Sequence, residues 1–411
     1  MNANQKIILL SLVITFAISA CSSFVGETKS PAVYDPSYRV KGRISGSNGI
    51  VVFRGMTQTI IPEHKTFCPS ATIFKFNNGD VQVGKMRSSD LGKTWKKVDN
   101  TIRRNAYQYP KPDGEVAMNA YQYPEPDGEV VMFADGLEKT DEKGVYKANF
   151  LRSKDNGLTQ TKDIATVRLP EEYDGYNIGL CRKIVRVKDG WLLMSLYGYE
   201  TWEDGKGGKI ERKAHSIAIR SDDRGKTWDY LATVAFDGST EPIDYYAKER
   251  PELPEFRIAG FEEPCLLTHP NGKIFCFIRT GTGYRNSLNN YNIQTPVYMS
   301  ISDDGGASWS NSDAVAPFGV LPDAVILKNG IMVVGYGRPG NWLMFSKDEG
   351  KTWKPIFQFY NDLYPPDCGN YISMAEIADN VLLVVYARTN PNDNWMSEIS
   401  GTYFFVNPPG I

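Results

Sequence analysis

An all-β chain assembled from six repeated antiparallel units is what these 411 residues predict. Three observations carry that expectation. An eight-residue motif recurs five times, six pairs of short apolar runs meet at tight-turn dipeptides, and aromatics reach 12% with 23 Tyr and 8 Trp. Apolar side chains make up 41% of the chain, ample for a packed core, so global disorder is excluded. Forty-six basic side chains against 48 acidic ones leave a formal net charge of −2, a balance that argues against a nucleic-acid partner.

The motif places Ser, Asp, Gly, Thr or Ser, and Trp at its first, third, fifth, seventh and eighth positions. It runs from Ser88 to Trp95, Ser221 to Trp228, Ser302 to Trp309 and Ser346 to Trp353. A worn copy, Ser153 to Gln160, has lost the Trp. The chemistry suits a tight hairpin: Ser and Asp bond nearby backbone N–H groups, Gly supplies a left-handed residue, and Trp plugs between layers.

The second repeat is a pair of apolar runs around a turn dipeptide, mostly Asn-Gly or Asp-Gly, which are strong hairpin signals, and once Asp-Asn. It is seen at Ala71–Phe76 before Asn78-Gly79, and at Asp127-Gly128 before Val130–Phe133. Ile184–Val187 and Trp191–Leu196 flank Asp189-Gly190, and Cys265–Leu267 and Ile274–Ile278 flank Asn271-Gly272. Ala324–Leu327 and Ile331–Val334 flank Asn329-Gly330, and Ile372–Ile377 and Val381–Tyr386 flank Asp379-Asn380. Six hairpins, five followed by the motif, predict six units. The last unit lacks the motif, so a strand near Val40–Ile44 or Ile50–Phe53 is expected to close the array. Asn105–Met118 and Asn119–Met132 are near-identical tandem copies, read as a duplication with one copy looped out.

The first residues read as an address. Lys6 precedes an apolar run, Ile7 to Ala20, of secretory-signal length, too short for a comfortable membrane span. It ends in Ile18-Ser19-Ala20-Cys21, which resembles a bacterial lipobox. That resemblance implies a signal peptide over residues 1–20, cleavage before Cys21 and lipid on its thiol. Residues 22–38 read as a flexible tether, giving a lipid-attached segment at 21–38 and one folded domain at 39–411. Ser22 and Ser23 lack the Asp of inner-membrane retention, so the expected place is the cell envelope at the outer membrane. The other five Cys form no close pair and are expected to be buried free thiols. With three His and no ligand spacing, no metal and no cofactor are expected.

The recurring motif resembles the Asp-box of the sialidase superfamily. The resemblance implies a six-bladed β-propeller of sialidase type closed by an N-terminal strand, with the boxes as structural turns away from the active site. In a propeller the first strand of each blade lines the channel. That singles out Thr66–Ser70, Tyr121–Tyr123, Leu180–Lys183, Phe261–Pro264, Leu321–Asp323 and Cys368–Tyr371. Charged groups converging there must pair or bind something. The stretch from Glu262 to Arg279 resembles the family segment with a buried Glu and a substrate-binding Arg one hairpin later. Gly337-Arg338-Pro339-Gly340 resembles the segment carrying another clamp Arg, and Asn370-Tyr371-Ile372-Ser373 resembles that of the nucleophilic Tyr.

The likeness covers residues 40–405 and implies an exo-glycoside hydrolase acting on a terminal acidic sugar. Arg279 and Arg338, with Arg182 and Glu262 beside them, would bind the sugar; Tyr371 would attack and Glu263 would be its base. A Tyr hydroxyl, with an ordinary pKa of ~10, needs such a base. The chain departs from the family where it reads Phe67-Cys68-Pro69 in place of an Arg-Ile-Pro segment, leaving Lys65, Arg54 or Arg182 to replace that Arg. The family's acidic residue before the first box is also missing, and His64 or Asp323 is expected to serve as the acid. Two alternatives stand beside the hydrolase: a lyase on uronic-acid polysaccharides, with His64 or a Tyr as base, and a non-catalytic glycan-binding lipoprotein. In each case the partner is a glycan, the membrane is reached only through lipid, and the chain is expected to be a monomer. His215, and the stacking surfaces Tyr197, Tyr199 and Trp202, complete the candidates.

Overall fold

Six four-stranded antiparallel units follow one another along the chain, the second, third and fourth joined by parallel contacts into one twelve-stranded sheet. The computed structural model describes residues 43–65, 72–102, 106–108, 128–173, 177–188, 190–199, 201–203, 209–211, 214–236, 258–282, 296–337, 340–360, 371–390 and 393–407. Blade 1 comprises Ile73–Lys75, Val81–Val83, Met86–Ser88 and Lys96–Lys97, and blade 2 Tyr107–Gln108, Val130–Lys139, Val145–Ser153 and Thr161–Arg168. Blade 3 comprises Asn177–Arg186, Leu192–Tyr199, His215–Ser221 and Thr227–Ala235, and blade 4 Ile258–Thr268, Ile274–Thr282, Val297–Ser302 and Asp313–Ala316. Blade 5 comprises Val320–Ile326, Met332–Gly337, Asn341–Ser346 and Ile356–Tyr360. Blade 6 takes Ile372–Ala378, Val381–Asn390 and Asp393–Val406 from one part of the chain and Ile50–Lys65 from the other.

The fold is the expected all-β propeller of sialidase type, closed by an N-terminal strand. Of the two candidate closing segments, Ile50–Phe53 belongs to the closing strand, which pairs with Asp393–Val406 from Val52↔Val406 to Lys65↔Met396. Arg43–Ser47 turns back and adds a fifth strand outside it. This also explains the missing sixth motif. A box connects the third and fourth strands of a blade, and in blade 6 those strands come from distant parts of the chain, with no hairpin between them. Asn407 takes over the stitching: its side chain accepts from Val51 N–H at 2.6 Å and donates to the Gly49 carbonyl at 3.2 Å.

The ring is held shut by packing. Six apolar clusters lie one between each pair of neighbouring blades, including Ile73, Val81 and Val83 of blade 1 against Ile377, Leu383 and Val385 of blade 6. Successive residues of a strand point to opposite faces. Thus Leu382 and Val384 pack towards blade 5, whereas Leu383 and Val385 pack towards blade 1. Burial on both faces is why these strands read as unbroken apolar runs.

Each box is the predicted turn. In the third copy Ser221 Oγ accepts from Gly225 N–H at 2.8 Å and donates to Asp223 Oδ1 at 2.9 Å, and Asp223 accepts from Thr227 N–H at 2.8 Å. Gly225 sits at φ +78°, and Trp228 is fully buried beside Phe133 and Phe150 of blade 2. The worn copy keeps the Ser153–Asp155–Gly157–Thr159 bonds, and Gln160 reaches the Thr101 carbonyl in place of a Trp plug.

One strand differs from expectation. The inner strand described for blade 2 is Tyr107–Gln108 from the first tandem copy, pairing with Val131 and Val130, whereas the expected Tyr121–Tyr123 lies outside the described residues. Ala106 is buried beside it, so the first copy supplies the register, and residues 109–127 lie outside those described.

The boxes set an acid limit on stability. Burial alone would raise the Asp90, Asp155, Asp223 and Asp348 carboxyls, but hydrogen bonds from their Ser and Thr partners outweigh it and hold all four below the ordinary value. For Asp304, hydrogen bonds from Ser308 lead, and it falls to about 2. A carboxyl depressed in the folded state stabilises above its unfolded pKa, about 4, and that stabilisation is lost as pH falls through the folded value. The melting temperature is therefore expected to be flat from about pH 5 to 7 and to drop between about 4 and 2. A melt series across that range checks it, and a flat profile down to pH 2 would contradict it.

Candidate active site

In a four-stranded meander the first-to-second and third-to-fourth connections share one rim. The Asn-Gly hairpins and the boxes therefore lie on one face of the ring, and the second-to-third loops and blade-to-blade crossings on the other. Glu262 and Glu263 lie at the middle of the first strand of blade 4, before its bulge gives way to Cys265, and Arg279 pairs with Glu262 in the second half of the second strand. Tyr371 directly precedes the first strand of blade 6. The candidate residues thus gather on the face opposite the boxes.

Three successive blades kink their innermost strand at the same place. The ladder register shifts between Leu180 and Ile184 in blade 3, between Glu262 and Cys265 in blade 4, and between Val320 and Asp323 in blade 5. Each shift contains a left-handed residue that is not glycine: Lys183 at φ +64°, Glu263 at +48° and Leu321 at +42°. Pro264 and Pro322 follow two of them and bring no N–H to the ladder. Such bulges re-aim side chains, at a backbone cost of about 1–3 kcal/mol each for residues held in this region.

Glu263 is turned onto Arg279, with Oε1 3.0 Å from Nη1, while Oε2 accepts from Leu321 N–H at 3.0 Å. Burial works against the Arg279 charge, but Glu263, Glu262 and Tyr371 around it prevail and hold its pKa above the ordinary value. These four side chains of blades 4 and 6 therefore form one electrostatic unit.

A second cluster lies two residues further along the same strands. Cys265 Sγ is 3.7 Å from Asp323 Oδ1, just as Glu263 two positions earlier meets Leu321 two positions earlier. Asp323 is fully buried and accepts from Met374 N–H of blade 6 at 2.7 Å and from Ala324 N–H at 2.9 Å. Its Oδ2 is 3.2 Å from Arg182 Nη1, and its Oδ1 is 2.7 Å from Lys183 Nζ, both of blade 3. Burial would raise this carboxyl, but Lys183 and Arg182 overcome it and hold it below the usual range. Asp323 is thus a locked carboxylate with no proton to give, which corrects its expected role as an acid. Burial also pushes the neighbouring Cys265 thiol up to about 11; it and Cys276 are buried free thiols.

Other candidates fall elsewhere. Arg54 lies near the start of the outer strand of blade 6, at its box-face end, and donates to the Phe359 carbonyl in the outer strand of blade 5, so it cannot replace a channel Arg. Arg182 does reach the channel but is fully buried against Asp323. His64 sits near the end of the closing strand, paired with Ser397, where the chain leaves for blade 1. His215 packs against Phe236 and Tyr173, and burial lowers its pKa to about 4, so it is a neutral packing residue. The Tyr197 ring covers Gly179, where a Cβ would come within 2.4 Å of it. Cys21, Cys68, Cys368, Arg338, and the side chains of His64, Lys65, Cys181, Tyr199 and Trp202 lie outside the described residues. Among the described residues no group of three His, Cys, Asp or Glu side chains could hold a metal.

The residue that sequence reasoning passed over is Lys183. It closes the Leu180–Lys183 segment, and the signal was present: two adjacent cations, Arg182 and Lys183, stand in a segment expected to line the channel.

A family model described as a BNR repeat-like domain matches residues 77–368. Among solved structures, a Dyadobacter fermentans protein of unknown function is similar with a TM-score of 0.59 and 16% identity, over 87% of this chain and 99% of that one. A variant of the NanB sialidase of Streptococcus pneumoniae is similar with a TM-score of 0.50 and 11% identity, over 93% of this chain and 72% of that one. The leech intramolecular trans-sialidase is similar with a TM-score of 0.50 and 14% identity, over 84% and 70%. These likenesses are of fold. No curated protein sequence matches this chain.

Proposed function

Because this chain belongs to the BNR repeat-like domain family of sialidase-type propellers, we propose that it is a glycoside hydrolase releasing a terminal acidic sugar from a glycan. The observation that carries the reading is the Glu263–Arg279 pair set beside Tyr371 on the face opposite the boxes. A substrate carboxylate on Arg279 and Arg338 would repel a carboxylate nucleophile, whereas the Tyr371 hydroxyl attacks as a neutral group. Glu263 takes the hydroxyl proton as the C–O bond forms at the anomeric carbon, and the aglycone leaves with a proton supplied by His64. Water then returns the reaction through the same groups.

Fluorophore release from an aryl α-sialoside by the purified protein is the test. Release is the expected result. No release from this substrate together with unsaturated products from uronic-acid glycans would replace the hydrolase by a lyase. Neither activity, with glycan binding retained, would leave a binding protein.

The envelope location is part of the same proposal and rests on Cys21. Cells fed a labelled fatty acid should label this chain, and Cys21→Ser should abolish the label; label retained in the variant removes the anchor.

A further inference from the structure

We propose that Lys183 is a carboxylate-binding residue of this site, a second cation in the channel with Arg279; the assignment rests on the acidic-sugar reading above. The position of Lys183 follows from topology. It belongs to blade 3, yet its ammonium group donates to the Ala324 carbonyl and pairs with Asp323, both of blade 5. Blade 4 stands between those blades, so a side chain joining them must cross the axial channel. Lys183 therefore lies in the channel itself, and its side chain keeps 25% of its surface exposed, where Asp323 keeps 1% and Arg182 2%.

Charge makes the same point. Arg279 is faced by two carboxylates, Glu263 and Glu262. Asp323, in contrast, is faced by two cations, Arg182 and Lys183. Arg182 is enclosed, so the surplus positive charge resides on Lys183, the exposed member. An ammonium group has three donors. Among the described residues two are used, by Asp323 and Ala324, and the third is offered to an anion entering the channel. An exposed ammonium facing the channel favours an anionic ligand over its neutral form.

The backbone gives an independent reason. Lys183 is the left-handed residue of the blade 3 bulge, as Glu263 is of the blade 4 bulge, although the two bulges differ in length. A strained, repeated kink that aims a proposed catalytic base in one blade aims a cation in the next.

The test uses binding, which needs no turnover. Free N-acetylneuraminic acid and glucuronic acid, each beside its methyl ester, are titrated calorimetrically into the full chain. The wild type should prefer acid over ester by tenfold or more for at least one sugar. Lys183→Met should shrink that ratio at least tenfold, and Lys183→Arg should keep most of it. Arg182 remains to neutralise Asp323 in the Met variant; should that variant not fold, Lys183→Gln keeps hydrogen-bond donors without charge and serves in its place. An unchanged acid-to-ester ratio in a folded neutral variant would overturn the assignment. No acid preference in the wild type would overturn it together with the acidic-sugar reading. Tyr371→Phe should keep the preference while losing turnover, so a fault in the Tyr371 chemistry is seen apart from a fault here.

Discussion

Tyr371→Phe and Glu263→Gln should each lower kcat on an aryl α-sialoside by a factor on the order of 10²–10⁴, with KM moving far less. The Phe variant removes one oxygen, the proposed nucleophile, and keeps the ring. The Gln variant keeps an acceptor for the Arg279 guanidinium and for Leu321 N–H, so the bulge retains its partners. What it removes is the ability to accept a proton. The two losses should not multiply in the double variant, because base and nucleophile act in one step. Melting temperatures of both variants should stay close to the wild type. Wild-type kcat in either single variant would remove that residue from the mechanism, and a rise in KM alone would reassign it to binding.

Asp323→Ala should have the largest effect on stability, about 3–5 kcal/mol, the usual cost of stripping one partner from a buried ion cluster. The carboxylate joins four blades: Arg182 and Lys183 of blade 3, Cys265 of blade 4, its own blade 5, and Met374 N–H of blade 6. Its loss leaves Arg182 enclosed without a counter-charge and a buried backbone N–H without an acceptor. Lys183→Met, by contrast, leaves a matched Arg182–Asp323 pair and should cost much less. Urea unfolding of the two variants decides the matter. Equal stabilities would mean that the cluster is hydrated in a way its burial does not indicate.

The architecture was legible in the sequence because a propeller repeats its turns. The box chemistry is local: Ser221, Asp223, Gly225 and Thr227 satisfy one another within seven residues, so their spacing encodes their geometry. The site is not local. The pairing of Glu263 with Arg279 could be read because both lie on one hairpin. Asp323 resembled an acid in the sequence because the two cations that lock it come from another blade, about 140 positions away (|i−j| = 141 for Lys183 and Ala324). Arg54 looked equally available as a channel cation, and only the pairing of its strand at the outer edge of blade 6 removes it. The Tyr107–Gln108 strand of blade 2 was passed over for a different reason: two nearly identical copies offer the same local pattern, and only the ladder distinguishes them.

The closing strand also orders events in time. Val51 and Asn407 are joined by a hydrogen bond across 356 positions of sequence. A ribosome making this chain delivers Ile50–Lys65 early and its partner strand only after almost all the rest. In the interval that early strand has an open edge, and the facing flanks of blades 1 and 6 lack the contacts that will cover them. Ring closure therefore waits for Asp393–Val406 and closes a very long loop. A chain interrupted before Asp393 is left with an unsealed ring and two apolar flanks, a substrate for chaperones and aggregation.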